Sequence, residues 1–130
     1  MLSITSKSPY AVQALVELGL HPGGEPVSIA ELARRREIPV QFLEQLFAVL
    51  RRAGVLQSQR GVKGGYRFAR DPAELTVLEV VELLDGPLGA DAVGVFEQAV
   101  GQARKVLEAT TIAELVADEQ REAGVSMYYI

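Results

Sequence analysis

Residues 27–70 of this chain are VSIAELARRREIPVQFLEQLFAVLRRAGVLQSQRGVKGGYRFAR, and they contain two helix patterns and a hairpin pattern in immediate succession. Ser28 opens a capping box, in which a hydroxyl accepts from a backbone N–H of the first helical turn, so a helix is predicted to begin there. It is expected to end near Glu37, because Pro39 disfavours helical geometry in the residue before it. A second helix over 41–52 follows after a short turn. This order is typical of a helix-turn-helix.

The second predicted helix has an apolar face and a polar stripe, each at helical spacing. The apolar positions are Leu43, Leu46, Phe47 and Leu50. The polar stripe consists of Gln41, Glu44 and Gln45. After Gly54 the apolar period changes to two, which predicts strands over 55–59 and 66–69. The glycine-rich segment between them provides the positive φ of a tight hairpin, so a basic wing is predicted directly after the helix-turn-helix.

The remaining sequence predicts four more helices. They are expected over Ser8–Leu20, Thr76–Asp85, 92–109 and Thr111 to about Ala123. Two of these begin with capping boxes like the one at Ser28, since Thr76 is followed by Glu79 and Thr111 by Glu114. The fold class is therefore mostly α with a small β-wing. We expect a winged helix-turn-helix domain over 1–88, and a long dimerisation helix followed by a C-terminal helix and tail over 89–130.

Within the predicted helix over 92–109, five apolar residues are spaced 3, 4, 3 and 4, like the seam of a coiled coil. They are Val93, Phe96, Val100, Ala103 and Leu107. A free-standing coiled coil needs more heptads than this segment contains. The seam predicts a homodimer interface, and the alternative is a helix buried against its own domain.

The composition excludes several classes of protein. The 130 residues are 48% hydrophobic and 23% charged, as in one folded domain, and they include no cysteine, which excludes disulfides, thiolate nucleophiles and cysteine-ligated clusters. No stretch has the pattern of a secretion signal or a bilayer span. We therefore expect a cytoplasmic protein with no membrane partner.

The charge is unevenly distributed along the chain. The net charge is −4, yet residues 34–70 contain nine basic and two acidic side chains, a local balance of +7. Nucleic-acid binding requires such a positive footprint. The predicted elements place these cations at the ends of the two helices of the helix-turn-helix and at the wing tip, where a docked winged helix passes phosphates.

An enzymatic site has little support in the sequence. The single histidine, His21, stands beside a Pro-Gly-Gly turn and is interpreted as a helix C-terminal residue. Three carboxylates, Glu79, Glu82 and Asp85, are interpreted as a solvated helix face. No phosphate-binding loop or metal-ligand spacing is present. We therefore expect that the chain is not an enzyme and binds no metal or cofactor.

The polar stripe of the second helix suits base recognition. Gln pairs bidentately with adenine, and Glu accepts from the amino group of cytosine. These side chains lie in the first turns of the helix, which are the turns that meet base edges in a helix-turn-helix. Exposed polar surface without a partner remains the alternative for each glutamine taken alone.

Three segments resemble the Rrf2 family of bacterial winged-helix transcription regulators. They are TSKSPYAVQALVELGLH, the stretch quoted at the start, and LTVLEVVELLDGPL, and the most specific part of the resemblance is FLEQLF…LRRAG…RG…GGYR. The resemblance covers about residues 1–88 densely, and TIAELV is similar to the start of the family's last helix. It implies a winged helix-turn-helix in which a long helix pairs two subunits.

The resemblance also implies functional residues. Gln41, Phe42, Glu44 and Gln45 would lie on the recognition helix, Arg60 at the minor groove, and Ser6, Lys7 and Tyr10 near the DNA backbone. The full set of predicted DNA-binding residues is Ser6, Lys7, Tyr10, Ser28, Gln41, Phe42, Glu44, Gln45, Arg51, Arg52, Arg60 and Lys63. Cluster-binding members of the family have three cysteines between the fourth helix and the dimerisation helix. The corresponding segment here is GPLGADAVGVF, so the resemblance does not extend to an iron-sulfur cluster.

Together these features predict a dimeric, sequence-specific repressor that binds a near-palindromic operator in double-stranded DNA. An effector, if there is one, would be a small molecule or a protein that acts without cysteine chemistry. The alternative function is a winged-helix module that binds another protein through the same surfaces.

Overall fold

The computed structural model describes residues 4–129, with side chains described as far as Gly124. The described chain forms six α-helices and one two-stranded antiparallel sheet, as the sequence predicts. In chain order the elements are α1 (Lys7–Leu20), α2 (Ile29–Arg36), α3 (Val40–Arg52), β1 (Leu56–Gln59), β2 (Gly65–Phe68), α4 (Val77–Asp85), α5 (Val95–Ala109) and α6 (Ile112–Tyr129). Short 3₁₀ turns at Pro22–Gly24 and Pro72–Glu74 connect α1 to α2 and β2 to α4.

The three predicted helix caps are confirmed. Each hydroxyl accepts from the backbone N–H three residues later, at 3.2 Å for Ser28 and 3.1 Å for both Thr76 and Thr111. These bonds satisfy donors that a helix terminus otherwise leaves free. The other end of α2 is closed by Glu37, the only non-glycine residue with positive φ in the described chain (φ 55°). It is followed by Pro39, which precedes α3.

The core lies around α1, which packs against α2, α3, α4 and α6. Its largest fully buried side chains come from α1, α2, α3, β1 and the segments that begin α4 and α6; they include Leu15, Leu32, Leu43, Phe47, Leu56, Leu75 and Ile112. These residues are far apart in the sequence. Their burial is the main favourable contribution to folding, at about 25 cal/mol per Å² of apolar surface. The helix-turn-helix and the C-terminal helix therefore share one core.

The wing is joined to this core at its base. Strands β1 and β2 pair in the register Leu56↔Phe68, Gln57↔Arg67, Ser58↔Tyr66 and Gln59↔Gly65. Val27 forms an isolated antiparallel bridge with Tyr66 of β2. The Val27 N–H donates to the Tyr66 carbonyl at 2.9 Å, and the Tyr66 N–H donates to the Val27 carbonyl at 2.8 Å. A Cβ at Gly65 would lie 2.3 Å from the Val27 backbone, so this close approach requires glycine.

Two predicted helix boundaries are wrong. The helix predicted over 92–109 begins only at Val95, because Gly94 has φ 63° and lies outside helical geometry, which leaves Val93 in the preceding turn. The last helix does not end at Ala123 but continues through Gly124 to Tyr129. A single glycine costs a helix about 1 kcal/mol, which is too little to end it when the neighbouring residues favour helix. Most of the predicted C-terminal tail lies within this helix, and its side chains, like Ile130, are outside the described part.

Candidate nucleic-acid interface

The outward stripe of α3 lies where the sequence predicts it. Leu43, Leu46, Phe47 and Leu50 are buried, whereas Gln41, Glu44 and Gln45 are exposed. By helical spacing Arg52 continues the stripe at the far end of α3, seven residues after Gln45. The exposed face of α3 therefore presents amide and carboxylate groups first and a cation last.

The start of α1 and the start of α3 are brought together by an aromatic contact. The rings of Tyr10 and Phe42 meet edge to face, with centroids 5.8 Å apart and planes at 83°. Both side chains are half-buried and pack against the core. The contact fixes the first turn of α3 against α1, and so positions the polar side chains of that turn.

A second aromatic contact joins α3 to the wing. Phe47 meets Tyr66 with ring centroids 5.2 Å apart and planes at 78°. Beyond this contact the wing projects into solvent, and Arg60, Val62 and Lys63 are all exposed at its tip. The wing therefore has a fixed base and an exposed cationic tip.

The nine cations of the basic segment fall into two groups. Four of them form ion pairs: Arg34 and Arg35 with Glu31, Arg36 with Glu17 and Glu119, and Arg70 with Glu79. In the described part of the chain no ion pair involves the other five, which are Arg51, Arg52, Arg60, Lys63 and Arg67. The interpretation of Arg34 to Arg36 as a group that meets phosphates is therefore wrong for Arg36, which is turned inward, and weakened for its two neighbours.

The start of α1 carries an interaction that the sequence does not predict. Asp85, at the end of α4, accepts from Thr5 Oγ1 and from Ser8 Oγ, each at 2.5 Å. Partial burial alone would raise the pKa of Asp85, but hydrogen bonds from Ser8 and Thr5 outweigh it and lower the pKa below its ordinary value. Two predicted DNA-binding residues next to this contact, Ser6 and Lys7, are exposed.

The three carboxylates of α4 are not the solvated face that the sequence suggests. Glu79 pairs with Arg70, and Glu82 Oε2 accepts from Arg104 Nη1 on α5 at 3.2 Å. With Asp85 bound to the start of α1, each carboxylate ties α4 to another segment. Spacing on one helix could not reveal these partners, because all of them lie outside that helix.

The remaining predicted site residues have mixed surroundings. Ser28 is exposed, and its oxygen is the acceptor that caps α2. Of the predicted dimer residues, Val93 and Phe96 are 74% and 63% exposed, Ala103 and Leu107 are half-buried, and Val100 is 5% exposed. Val100 packs against Gly89 of its own chain, so it belongs to the core of the subunit rather than to an open seam.

This arrangement, a helix-turn-helix with an exposed polar stripe followed by a two-stranded basic hairpin, defines the winged helix-turn-helix class of proteins. The family model described as Rrf2, iron-dependent transcriptional regulator, matches residues 4–118. The chain belongs to the Rrf2 family. Members of this family are transcriptional regulators, in agreement with the expectation that the chain is not an enzyme.

Curated relatives and solved structures support the assignment. The HTH-type transcriptional regulators IscR of Aliivibrio salmonicida and of Cereibacter sphaeroides are 40% and 41% identical over 89 and 91 residues, which are 68% of this chain and 53% and 59% of the relatives. The chain thus spans just over half the length of these relatives. CymR, the global cysteine regulator of B. subtilis, has a similar structure, with a TM-score of 0.83 and 28% identity over 90% of this chain and 98% of that one. IscR of T. potens has a TM-score of 0.80 and 37% identity over 91% of this chain and 88% of that one.

The described part of the chain offers no suitable site for the iron that the family description names. The chain has no cysteine, and in the described residues no group of three His, Asp or Glu side chains could hold a metal ion. The segment between α4 and α5 is instead packed by apolar groups, since Leu88 is buried and Gly89 lies against Val100. In the same described range no helix is long and apolar enough to cross a membrane.

Proposed function

We propose that this chain is a dimeric regulator that binds double-stranded DNA at a near-palindromic operator and represses transcription. The observation that carries this proposal is the combination of an exposed amide and carboxylate stripe on α3 with cations at the end of α3 and on the wing that have no ion-pair partner in the described structure. A cation paired with a carboxylate must weaken that contact to bind a phosphate, whereas these side chains have no ion pair to give up in the described structure.

The residues of the interface have different roles. Gln41, Glu44 and Gln45 face base edges in the major groove, where glutamine suits adenine and glutamate suits cytosine. Phe42 and Tyr10 hold that turn in place through their ring contact. The residues that contact phosphates or the minor groove are Ser6, Lys7, Ser28, Arg51, Arg52, Arg60 and Lys63. Such contacts supply affinity and register rather than sequence information.

The proposed dimer follows from the small reach of one winged helix. A single recognition helix reads only a few base pairs, which are too few to define a site in a genome. Two copies related by a two-fold axis would place their recognition helices in major grooves about one turn of DNA apart, or a multiple of it. Residues 1–88 would then bind DNA, and residues 89–130 would join the copies.

Repression is the regulatory role that we propose, because a dimer bound at a promoter would block access of the polymerase. The site of action would be the bacterial cytoplasm, where the chromosome lies. Because the chain has no cysteine for an iron-sulfur cluster, its activity would be controlled by a cysteine-independent ligand, by a partner protein or by the amount of the protein itself.

In vitro selection from random double-stranded DNA, followed by binding measurements over a salt series, tests the proposal. We expect a near-palindromic motif. If each copy contacts about three phosphates, log K falls with log salt at a slope near −5, at about −0.9 per contact. Failure to enrich any motif, or a binding constant that does not depend on salt, would contradict DNA binding and favour the alternative of a protein-binding module.

A further inference from the structure

A cavity between the end of α1 and the base of the wing has no role in the proposed DNA interface. Its volume is about 260 Å³. This is larger than the apolar cavity of about 150 Å³ that holds benzene, and smaller than the pockets of about 300–1,000 Å³ that hold drug-sized ligands. Its lining includes Leu18, His21, Glu25, Arg67, Phe68 and Pro72. The size of the cavity therefore suits a small metabolite.

Two opposite charges line the cavity without pairing. Arg67 on β2 and Glu25 on the turn after α1 are both exposed, and in the described part of the chain neither forms an ion pair. A ligand with only a negative charge would lie beside the Glu25 carboxylate, and one with only a positive charge beside the Arg67 guanidinium. A ligand that carries one group of each sign can satisfy both side chains, and a guanidinium binds a carboxylate through two parallel hydrogen bonds.

The other side chains of the lining are mainly apolar. Leu18 is 5% exposed at the end of α1, and Phe68 and Pro72 are half-buried where the chain leaves β2. An apolar group placed against these side chains is removed from water, which favours binding. The cavity thus combines a positive group, a negative group and an apolar wall.

We infer that this cavity binds a free α-amino acid with an apolar side chain. Arg67 binds the carboxylate of the amino acid, Glu25 binds its ammonium group, and the apolar wall receives its side chain. The site specifies the cysteine-independent ligand that the proposed function leaves open. Its regulatory consequence therefore rests on that function, whereas the binding itself does not.

His21 connects the cavity to the helix-turn-helix. Its imidazole lines the cavity, and its Nε2 is buried without a hydrogen-bond partner in the described structure, 3.7 Å from Glu17 Oε2. A buried polar atom without a partner is costly, and a small shift of the ring would bring Nε2 within hydrogen-bond distance of Glu17. Glu17 in turn accepts from Nε of Arg36, the last residue of α2, at 3.0 Å. A ligand that moves the ring therefore acts on the contact between α1 and α2.

Titration calorimetry with the full chain tests whether both charges of the ligand are needed. The ligands are L-valine, L-leucine and L-methionine, each compared with the amine that lacks its carboxylate and with the acid that lacks its ammonium group. We expect at least one amino acid to bind saturably, and each of its two analogues to bind about tenfold more weakly or worse, because each loses a charge-assisted hydrogen bond. No binding of any of the three at millimolar concentration would overturn the inference, and so would an acid that binds as tightly as its amino acid.

Two variants test the contacts separately. Arg67→Gln and Glu25→Gln should each raise the dissociation constant of the amino acid about tenfold or more. Without ligand both should unfold at the temperature of the wild type, because both side chains are exposed. The matched controls are Arg60→Gln and Glu108→Gln, which remove an exposed cation from the wing tip and an exposed carboxylate from α5, and they should bind the amino acid like the wild type. Equal affinity of the test variants and the controls would overturn the site.

The outcome can be separated from the proposed function. At saturation the amino acid should change the dissociation constant of the selected DNA by about fivefold or more. A bound amino acid that leaves this constant unchanged would overturn its regulatory role. If a DNA motif is enriched but no amino acid binds, the inference fails and the function stands. If an amino acid binds but no motif is enriched, the site stands and the function fails.

Discussion

Arg36, the last residue of α2, forms two parallel hydrogen bonds to Glu119 on α6, from Nη1 to Oε1 at 3.0 Å and from Nη2 to Oε2 at 2.8 Å. Its Nε donates at 3.0 Å to Glu17 on α1, which is only 8% exposed. Fork-like pairing of this kind fixes geometry as well as contributing energy. One arginine thus connects the helix-turn-helix, the central helix and the C-terminal helix.

Replacement of Arg36 should affect stability rather than DNA affinity. Arg36→Ala removes the fork to Glu119 and the shortest ion pair of the buried Glu17, which keeps only the longer contact to Arg35 at 3.5 Å and one to His21 at 3.7 Å, and we expect the free energy of unfolding to fall by about 2–3 kcal/mol. The matched variant Arg52→Ala should leave stability within about 0.5 kcal/mol, because its side chain is exposed. Arg52→Ala should instead weaken DNA binding and reduce the salt slope by about one. Urea denaturation measures the stability of each variant, and binding isotherms measure its DNA affinity. Loss of DNA affinity without loss of stability in Arg36→Ala would show that Arg36 contacts DNA.

The stability of the chain should depend on the Asp85 carboxylate in acid. The pKa of Asp85 in the folded chain lies below its ordinary value of 3.8. The Asp85 carboxylate is therefore protonated more readily in the unfolded chain than in the folded chain. The stabilisation is therefore complete above that ordinary value, and is lost as the pH falls through the folded pKa. We expect the free energies of unfolding of wild type and Asp85→Asn, measured from pH 7 to pH 3, to differ less as the pH falls.

Hydrogen bonds from Arg35 and Arg34 also lower the pKa of another carboxyl, that of Glu31, so the total acid sensitivity has more than one source. The difference between wild type and Asp85→Asn isolates the contribution of Asp85. A difference that stays constant with pH would mean that Asp85 contributes only neutral hydrogen bonding.

Glu44 should determine sequence preference rather than affinity. A carboxylate facing DNA is tolerated only where it finds a donor such as the cytosine amino group, so Glu44→Ala should relax one base position in each half-site by about 1–3 kcal/mol. Non-specific binding should not weaken, because the change removes a negative charge. Selection with the variant measures this effect. Recovery of the wild-type motif without change would show that Glu44 does not read a base.

The same substitution at two glycines should change stability in opposite directions. Gly89 has φ 68°, and a Cβ there would lie 2.3 Å from Val100 Cγ2, so Gly89→Ala should destabilise the chain by about 1–3 kcal/mol. Gly101 lies within α5 with no atom within 4 Å of a built Cβ, so Gly101→Ala should stabilise the helix by up to about 1 kcal/mol. Thermal unfolding of both variants tests the packing of the segment between α4 and α5.

The purified chain should remain colourless when it is reconstituted anaerobically with iron and sulfide. Cluster ligation needs thiolates, which the sequence does not contain, or a comparable ligand set, which the described structure does not provide. Visible absorption spectra and iron analysis measure this. A stoichiometric absorbing species would contradict the expectation.

The local sequence was enough to predict the order of helices and strands, because the signals involved act over a few residues. Caps at Ser28, Thr76 and Thr111 and the helical spacing of α3 depend on neighbours three or four positions away. The same applies to the wing, where the glycines of one hairpin set the turn. The sequence also placed Gln41, Glu44 and Gln45 on the open side of α3, since the buried positions of one amphipathic helix define its exposed ones.

The partners of the charged side chains and the exposed side of α5 depended instead on packing between distant segments. Arg36 and Glu119 are 83 positions apart, and Ser8 and Asp85 are 77 apart, so no periodicity within one helix relates them. Three consecutive arginines look alike in the sequence, and only the approach of α1 and α6 turns the last one inward. Likewise, the spacing of apolar residues in α5 fits more than one seam, and the contact of Val100 with Gly89 selects which side is buried within the chain.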